Sequence, residues 1–368
     1  MINLQRMLIS NEVSEAVNEC MRQCLPFAVV FMPDSEVCHF FAACETVELS
    51  SGLPHGWTGF IAARFALGEK QNPVGIPAQL SVEDILDLKL GNNLNHAYSV
   101  PEAQQSTPYA DYCQMISNVV ESFDTIGSKV VISRLIASTS TEHPLKVAEK
   151  YFSAFPACFR CLYFTPQTGL WIVATPEILL NYSAAENSLH TMSLAGTRRV
   201  GEKRWDVKNE MEHRLVTEYI ASRLESEGMK VNVSDPCELQ FGAIEHLCNH
   251  IAAKGAIDVM KLAMKLSPTP AVCGWPVESA YSKIKSCERH DRGCYGSFIG
   301  VADDSNVNLY VNLRCARITP LDNKSFQYEM FSGGGINKMS VAESEWAETE
   351  MKIGPLYELV NNKSINLS

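Results

Sequence analysis

Strand-like runs follow one another in this chain with only short turns between them, and that order is what most limits its fold. Tyr295 to Val301, Asn308 to Ile318 and Ser325 to Ser332 read as three successive strands. The turns Asp303-Asp304-Ser305 and Pro320-Leu321-Asp322-Asn323 separate them. Parallel neighbours need long crossovers, so strands joined this tightly pair antiparallel. Cys158 to Phe164 and Leu170 to Ala174 flank Pro166-Gln167-Thr168-Gly169 and read as a hairpin. Helical segments stand between the runs. Tyr109 to Ile126 places Tyr112, Met115, Ile116, Val119 and Phe123 on one face and stops at Gly127. Pro144 to Phe155 is a second helix, and Asp206 to Glu227, ended by Gly228, a third. A last helix runs from Ser340 to Val360, where Gly354-Pro355 should break or kink it. Strands in meanders with helices outside predict an α+β fold of antiparallel sheets.

The portion ahead of Pro108 is less informative. Pro26 to Met32, Val37 to Phe41 and Trp57 to Phe65 look like strands, and Lys129 to Arg134 is a short β-branched one. Gln71 to Gln105 is rich in Asn, Pro and Gly and reads as loops around one short helix. The 368 residues allow two or three units, or one large α+β domain.

Charge and cysteine content exclude several classes. The formal net charge is −11, and a surface this acidic repels phosphate backbones. The nearest approach to a basic run, Thr197-Arg198-Arg199 with Lys203-Arg204, sits beside Glu202 and Asp206. No nucleic-acid partner is expected. The longest apolar run, Leu25 to Met32, contains Pro26 and is too short for a bilayer. Met1 to Ser10 has no apolar core of signal length. The 13 cysteines are odd in number; reduced, mostly buried thiols in a cytoplasmic protein are the expectation.

Several familiar motifs are missing: no phosphate loop, GxGxxG, HExxH or GxSxG occurs. His246 and His250 have the spacing to share a helix face but lack the Glu of a zinc protease. Cys158-Phe159-Arg160-Cys161 has CxxC spacing in a strand-like context, which favours two buried strand cysteines over a redox or zinc site.

Other residues suggest chemistry. Ser332-Gly333-Gly334-Gly335-Ile336 precedes the last helix, where a glycine loop would let backbone N–H groups approach an anion. The plain alternative is a flexible turn. On that helix Glu345, Glu348 and Lys352 share one face. This could be an exposed face with a Glu348–Lys352 ion pair, but Trp346, Ile353 and Leu356 argue for partial burial. Neighbouring carboxylates repel unless a cation lies between them, and hard oxygen ligands suit Mg²⁺. Glu212 on the earlier helix could supply a third acid, though Glu210 and Glu218 also suit a solvated face. Arg314 stands mid-strand among apolar residues, which implies a buried partner or a bound anion. Lys129 either reaches solvent at a strand edge or, if buried, can serve as a general base.

Taken in order, these segments resemble the chorismate-utilising enzymes: isochorismate, salicylate and aminodeoxychorismate synthases and the large subunit of anthranilate synthase. The matching stretches are Lys129-Val-Val-Ile-Ser-Arg134, Thr175-Pro176-Glu177, Ser193-Leu-Ala-Gly-Thr-Arg198, Glu212-His213 and Glu245-His246-Leu247. They continue with Pro268 to Pro276, Arg292-Gly-Cys-Tyr-Gly296, Leu313-Arg314-Cys-Ala316, Gly333-Gly-Gly-Ile336 and Glu345 to Lys352. The resemblance implies one large α+β domain of two packed antiparallel sheets flanked by helices. Residues 1–112 would be a variable N-terminal portion of that fold, and 113–366 the chorismate-binding catalytic domain. It implies a Mg²⁺ ion bridging the substrate ring carboxylate to Glu212 and Glu348, with Glu345 assisting through water. The substrate carboxylates would be held by Arg314, Tyr295, the amides of Gly333, Gly334 and Gly335, and Lys352. Gly196, Thr197 and His246 match further pocket positions.

The resemblance also speaks to the nucleophile. Aminodeoxychorismate synthases carry a lysine where this chain has Ala195, and anthranilate synthases carry a Gln where it has Lys129. Lys129 with Ala195 matches the members that use water. The expectation is an isochorismate synthase, an isomerase, in which Lys129 is the base for water and Glu177 the acid for the departing hydroxyl. Menaquinone biosynthesis is the preferred pathway. A salicylate synthase, a siderophore-pathway isochorismate synthase and an inactive chorismate-binding subunit are the alternatives. No amidotransferase subunit is expected, and the chain should be a monomer or weak homodimer.

Overall fold

The computed structural model describes residues 8–88, 101–123, 129–202, 204–322 and 324–362. Its strands form two sheets. The first has the order β14 (Gly274–Trp275), β6 (Lys129–Ser140), β18 (Phe326–Ile336), β17 (Cys315–Pro320), β8 (Gly169–Thr175), β7 (Phe159–Thr165), β1 (Phe27–Phe31), β2 (His39–Ala42). The second has the order β11 (Lys230–Val233), β13 (Ile244–Lys254), β10 (Ser188–Arg199), β9 (Ile178–Ser183), β16 (Asn306–Val311), β15 (Phe298–Ala302), β4 (Gly59–Ala62), β5 (Val74–Pro77), β3 (Val47–Glu48). A further strand, β12 (Cys237–Phe241), also pairs with β13. The pairings among described residues are antiparallel, as the short turns require.

The sequence of β7 shows why the sheets pack face to face. Strand side chains alternate between faces. Phe159, Cys161 and Tyr163 join a core with residues of the second sheet such as Phe60, Ile299 and Tyr310. Leu162 and Phe164 join a different core, beneath helices. A strand buried on both faces reads as one continuous apolar run. The same alternation separates Cys158 from Cys161, which lie in different cores and cannot act as a pair.

Helices α1 (Asn11–Gln23), α2 (Val82–Leu88), α4 (Pro144–Ala154) and α8 (Ala342–Val360) cover the outer side of the first sheet. Helices α5 (Val207–Ser226) and α6 (Val259–Leu266) cover the second, α7 (Val277–Cys287) packs on β6 and β14 at the edge of the first, and α3 (Tyr109–Glu121) packs on α8 and β6. Strands from the N-terminal portion enter both sheets, β1 and β2 in one and β3, β4 and β5 in the other. No helix among the described residues is long and apolar enough to cross a membrane.

Several expectations need correction. The single strand expected from Asn308 to Ile318 is two, β16 in the second sheet and β17 in the first. Arg314 is therefore not mid-strand; it lies where the chain changes sheets, with φ at 50°. Gly333 to Gly335 form no loop, because they continue β18 and pair with Ser133, Ile132 and Val131 of β6. Helix α8 runs through Pro355, since Ile353, Leu356, Leu359 and Val360 bury on both sides of it and packing outweighs one missing N–H. His246 and His250 lie on β13, not on a helix. Helix α1 was missed despite its legible spacing: Val13, Ala16, Val17 and Cys20 face inward behind the cap Ser10. Helix α3 ends at Glu121, capped by Ser122, ahead of the stop expected at Gly127, which lies outside the described residues.

Candidate active site

One cleft draws its walls from both sheets and from α5 and α8. Lys129 opens β6, and Glu177 sits between β8 and β9. Gly196 and Thr197 come from β10, His246 from β13 and Glu212 from α5. Tyr295, Arg314, Gly333 and Gly335 form another wall, and α8 contributes Glu348 and Lys352. Two residues expected in the site, Gly334 and Glu345, lie outside this lining; strand alternation turns Gly334 away from the face of Gly333 and Gly335.

Lys129 and Glu177 are both buried, at 4% and 3% exposure. Burial disfavours the charged carboxylate and pushes Glu177 up to about 8, although Lys129, Lys352 and Arg314 pull the other way. At neutral pH Glu177 therefore favours its protonated form. The ammonium of Lys129 lies 3.3 Å from Glu212 Oε2.

Carboxylates of α5 and α8 converge nearby. Lys208 on α5, which sequence reasoning missed, reaches Glu345 Oε1 at 2.8 Å and Glu212 Oε1 at 3.6 Å. Burial alone would lower the Lys208 ammonium, but Glu212, Glu345 and Glu348 outweigh it and raise it. Its sequence signal was the four-residue step to Glu212 on one helix face. Burial raises Glu345, against the pull of Lys208. Burial would raise Glu348 as well, yet Lys352, 2.6 Å away, and Lys208 hold it down to about 2. Glu212 Oε1 and Glu345 Oε2 are buried oxygens with no hydrogen-bond partner. Buried lone pairs without donors, on hard carboxylates, fit a small divalent cation.

Arg314 is aimed by its neighbours. It donates to the Lys352 carbonyl at 2.8 Å and meets His246 Nε2 at 3.2 Å. His246 Nδ1 lies 2.8 Å from the Gly196 carbonyl. An arginine only donates and a carbonyl only accepts, so the imidazole is neutral with its proton on Nδ1. Burial, with Arg314 and Lys352 near, lowers His246 to about 3, in agreement. Asn209, also missed, holds the β10 end through Oδ1, which accepts from Thr197 N–H at 3.0 Å.

The glycines of β18 are required by space rather than by an unusual backbone angle. A Cβ on Gly333 would stand 2.9 Å from the Tyr295 hydroxyl, and one on Gly334 would stand 2.9 Å from Glu345 Oε2. At Gly335 it would meet Glu212 Oε2 at 2.5 Å and Lys129 Cε at 2.6 Å. Each absent side chain is room for a polar group of the site. Beyond Met330 β18 no longer pairs with β17, and there the Gly333 carbonyl accepts from Lys352 Nζ at 3.0 Å.

Known proteins resemble the chain along most of its length. Residues 60–361 match the family described as chorismate binding enzyme. Isochorismate synthase MenF of Pasteurella multocida is 26% identical over 280 residues, 71% of this chain and 64% of that protein. The vibriobactin-specific isochorismate synthase of Vibrio cholerae is 29% identical over 280 residues, 66% of this chain and 64% of its own. The matched region thus spans slightly less than two thirds of these relatives. Among solved structures, the menaquinone-specific isochorismate synthase MenF of Escherichia coli has a TM-score of 0.69 at 19% identity, covering 91% of this chain and 88% of that one. Anthranilate synthase component I of Streptococcus pneumoniae has a TM-score of 0.61 at 15% identity, covering 90% and 89%. These likenesses bear on the fold, and the family match covers most of the sequence: the chain belongs to the chorismate binding enzyme family.

Proposed function

We propose that the chain is a Mg²⁺-dependent isochorismate synthase, an isomerase that moves the hydroxyl of chorismate from ring C4 to C2. The observation that carries this reading is the pairing, in one cleft, of a buried lysine with a carboxyl group pushed up to about 8. An acid and a base of this kind are what a hydroxyl exchange needs. Lys129, once free of its proton and of Glu212, takes a proton from water as its oxygen bonds to C2. The two ring double bonds shift by one position each, and the C4–O bond breaks. Glu177 gives its proton to the leaving hydroxyl, so one water enters and one departs. Arg314, Lys352 and the β18 backbone hold the substrate carboxylates, and neutral His246 keeps Arg314 in line. Mg²⁺, when bound by Glu212, Glu345 and Glu348, supplies positive charge for the ring carboxylate. Ala195 offers no amine to compete with water.

The test is purified protein with chorismate and Mg²⁺, products resolved by chromatography and mass spectrometry, with and without ammonia. A product isobaric with chorismate, indifferent to ammonia, is expected. Salicylate with pyruvate, or a nitrogen-containing product, would overturn the assignment, and no turnover would favour a binding subunit. Menaquinone biosynthesis is the pathway we assign, supported by the likeness to the menaquinone-specific enzyme. Rescue of a menaquinone-deficient strain but not of a catecholate-siderophore-deficient one is the expected result.

A further inference from the structure

Away from this cleft, among the described residues, three side chains bring together the donors of a soft metal. The sulfurs of Cys237 and Cys248 and a ring nitrogen of His250 all lie within 4.8 Å of one another. The sheet dictates the meeting. Cys237 on β12 stands directly opposite Cys248 on β13, and opposed residues of an antiparallel pair bring their Cβ atoms to about 4.5–5.5 Å. His250 follows Cys248 by two residues and leaves β13 on the same face. Ser234 fixes that end of the strand: its N–H donates to the His250 carbonyl at 2.9 Å, and its Oγ accepts from the His250 N–H at 3.0 Å. Cys248 is buried with Met192 and Leu194, whereas Cys237 and His250 are exposed. A cation can arrive from solvent and find one ligand already anchored in the core.

We propose that Cys237, Cys248 and His250 form a binding site for a thiophilic divalent cation of the zinc type. Two thiolates, one imidazole and a water in the fourth position make a donor set that zinc accepts, at about 2.3 Å from sulfur and about 2.0 Å from nitrogen. Around a tetrahedral ion such bonds place donors roughly 3.5–3.8 Å apart. Rotation of the two exposed side chains closes the observed spread. Mg²⁺ prefers hard oxygens, so this site and the carboxylates of α5 and α8 select different metals. Burial, with Cys237 beside it, pushes the Cys248 thiol up to about 12. Binding must displace that proton and therefore strengthens as pH rises.

The experiment is a titration of reduced, chelator-stripped full-length protein with Co²⁺, followed by the thiolate-to-cobalt charge-transfer absorption that carboxylate sites do not give. The band should saturate at one equivalent, yield to Zn²⁺ and ignore excess Mg²⁺. It should vanish in Cys237→Ser, a surface change that leaves the core intact. His250→Ala should weaken binding about tenfold or more, and Glu348→Gln should leave the band unchanged. No band, a band surviving Cys237→Ser, or a Cys237–Cys248 disulfide found in unreduced protein by peptide mass spectrometry would overturn the proposal.

Discussion

The ammonium of Lys208 stands 2.8 Å from the Glu345 carboxylate, across the gap between α5 and α8. With Glu212 at 3.6 Å, one lysine offsets the acids that the two helices present to each other. Removing one member of a buried ion pair costs about 3–5 kcal/mol. Lys208→Met should destabilise the metal-free protein by that order, and added Mg²⁺ should restore part of the loss. Thermal unfolding with and without Mg²⁺ reads both effects. A metal-free variant as stable as the parent would remove Lys208 from this role.

Glu177 gives a pH signature. Its carboxyl is raised from the ordinary 4.5 to about 8 in the folded chain, so the folded state holds a proton that the unfolded state has released between those values. Stability contributed by this group therefore falls as pH rises from about 4.5 to about 8, and is level beyond. Turnover that needs the protonated acid falls as pH passes about 8. Glu177→Gln should lose turnover by about 10²–10⁴-fold and lose the alkaline limb of whatever activity remains. An alkaline limb that persists unchanged in Glu177→Gln would contradict the assignment.

Gly335→Ala should inactivate without unfolding. Its methyl meets Glu212 Oε2 and Lys129 Cε, and overpacking of this kind costs about 1–3 kcal/mol. Gly354→Ala in α8 is the control, since beyond its chain neighbours and the helix backbone nothing lies within 4 Å of its added methyl. There the helix-propensity gain of up to about 1 kcal/mol is opposed by the crowding of the new methyl against the Pro355 ring, so stability and rate should change little. Circular dichroism melts and initial rates on the two variants check the contrast.

Glu348 and Lys129 should separate metal dependence from chemistry. Glu348→Gln leaves Lys352 without its 2.6 Å partner and removes a candidate ligand. Its activity should require more Mg²⁺ for half-saturation. Lys129→Ala should lower kcat by about 10²–10⁴-fold while calorimetry still detects Mg²⁺-dependent chorismate binding. An unchanged Mg²⁺ titration in the first, or near-parental kcat in the second, would remove the residue from its proposed role.

Much of this was legible in the residues because periodicity reports burial directly. The hairpin of β7 and β8, helices α4 and α5, and the burial of Cys158 and Cys161 all follow from local spacing. What failed were features set by distant partners. Arg314 looks mid-strand because apolar residues surround it, yet β16 and β17 belong to different sheets, which no local pattern reveals. Gly333 to Gly335 look like a loop because their conformational freedom suggests one, whereas Tyr295, Glu345, Glu212 and Lys129 supply the actual requirement for space. Pro355 looks like a helix end because buried neighbours on both sides cannot be seen from its own chemistry. Lys208 was overlooked because its partner Glu345 lies on another helix.

The passage from β16 to β17 carries a mechanical meaning. Arg314 is gripped on one side by His246 of the second sheet and on the other by the Lys352 carbonyl of α8, which packs on the first. A carboxylate clasped by this guanidinium therefore acts as a rivet through both layers of the molecule. Occupancy of the cleft and cohesion of the sandwich are thereby coupled, and a ligand that reaches Arg314 should stiffen the joint between the layers more than one that does not.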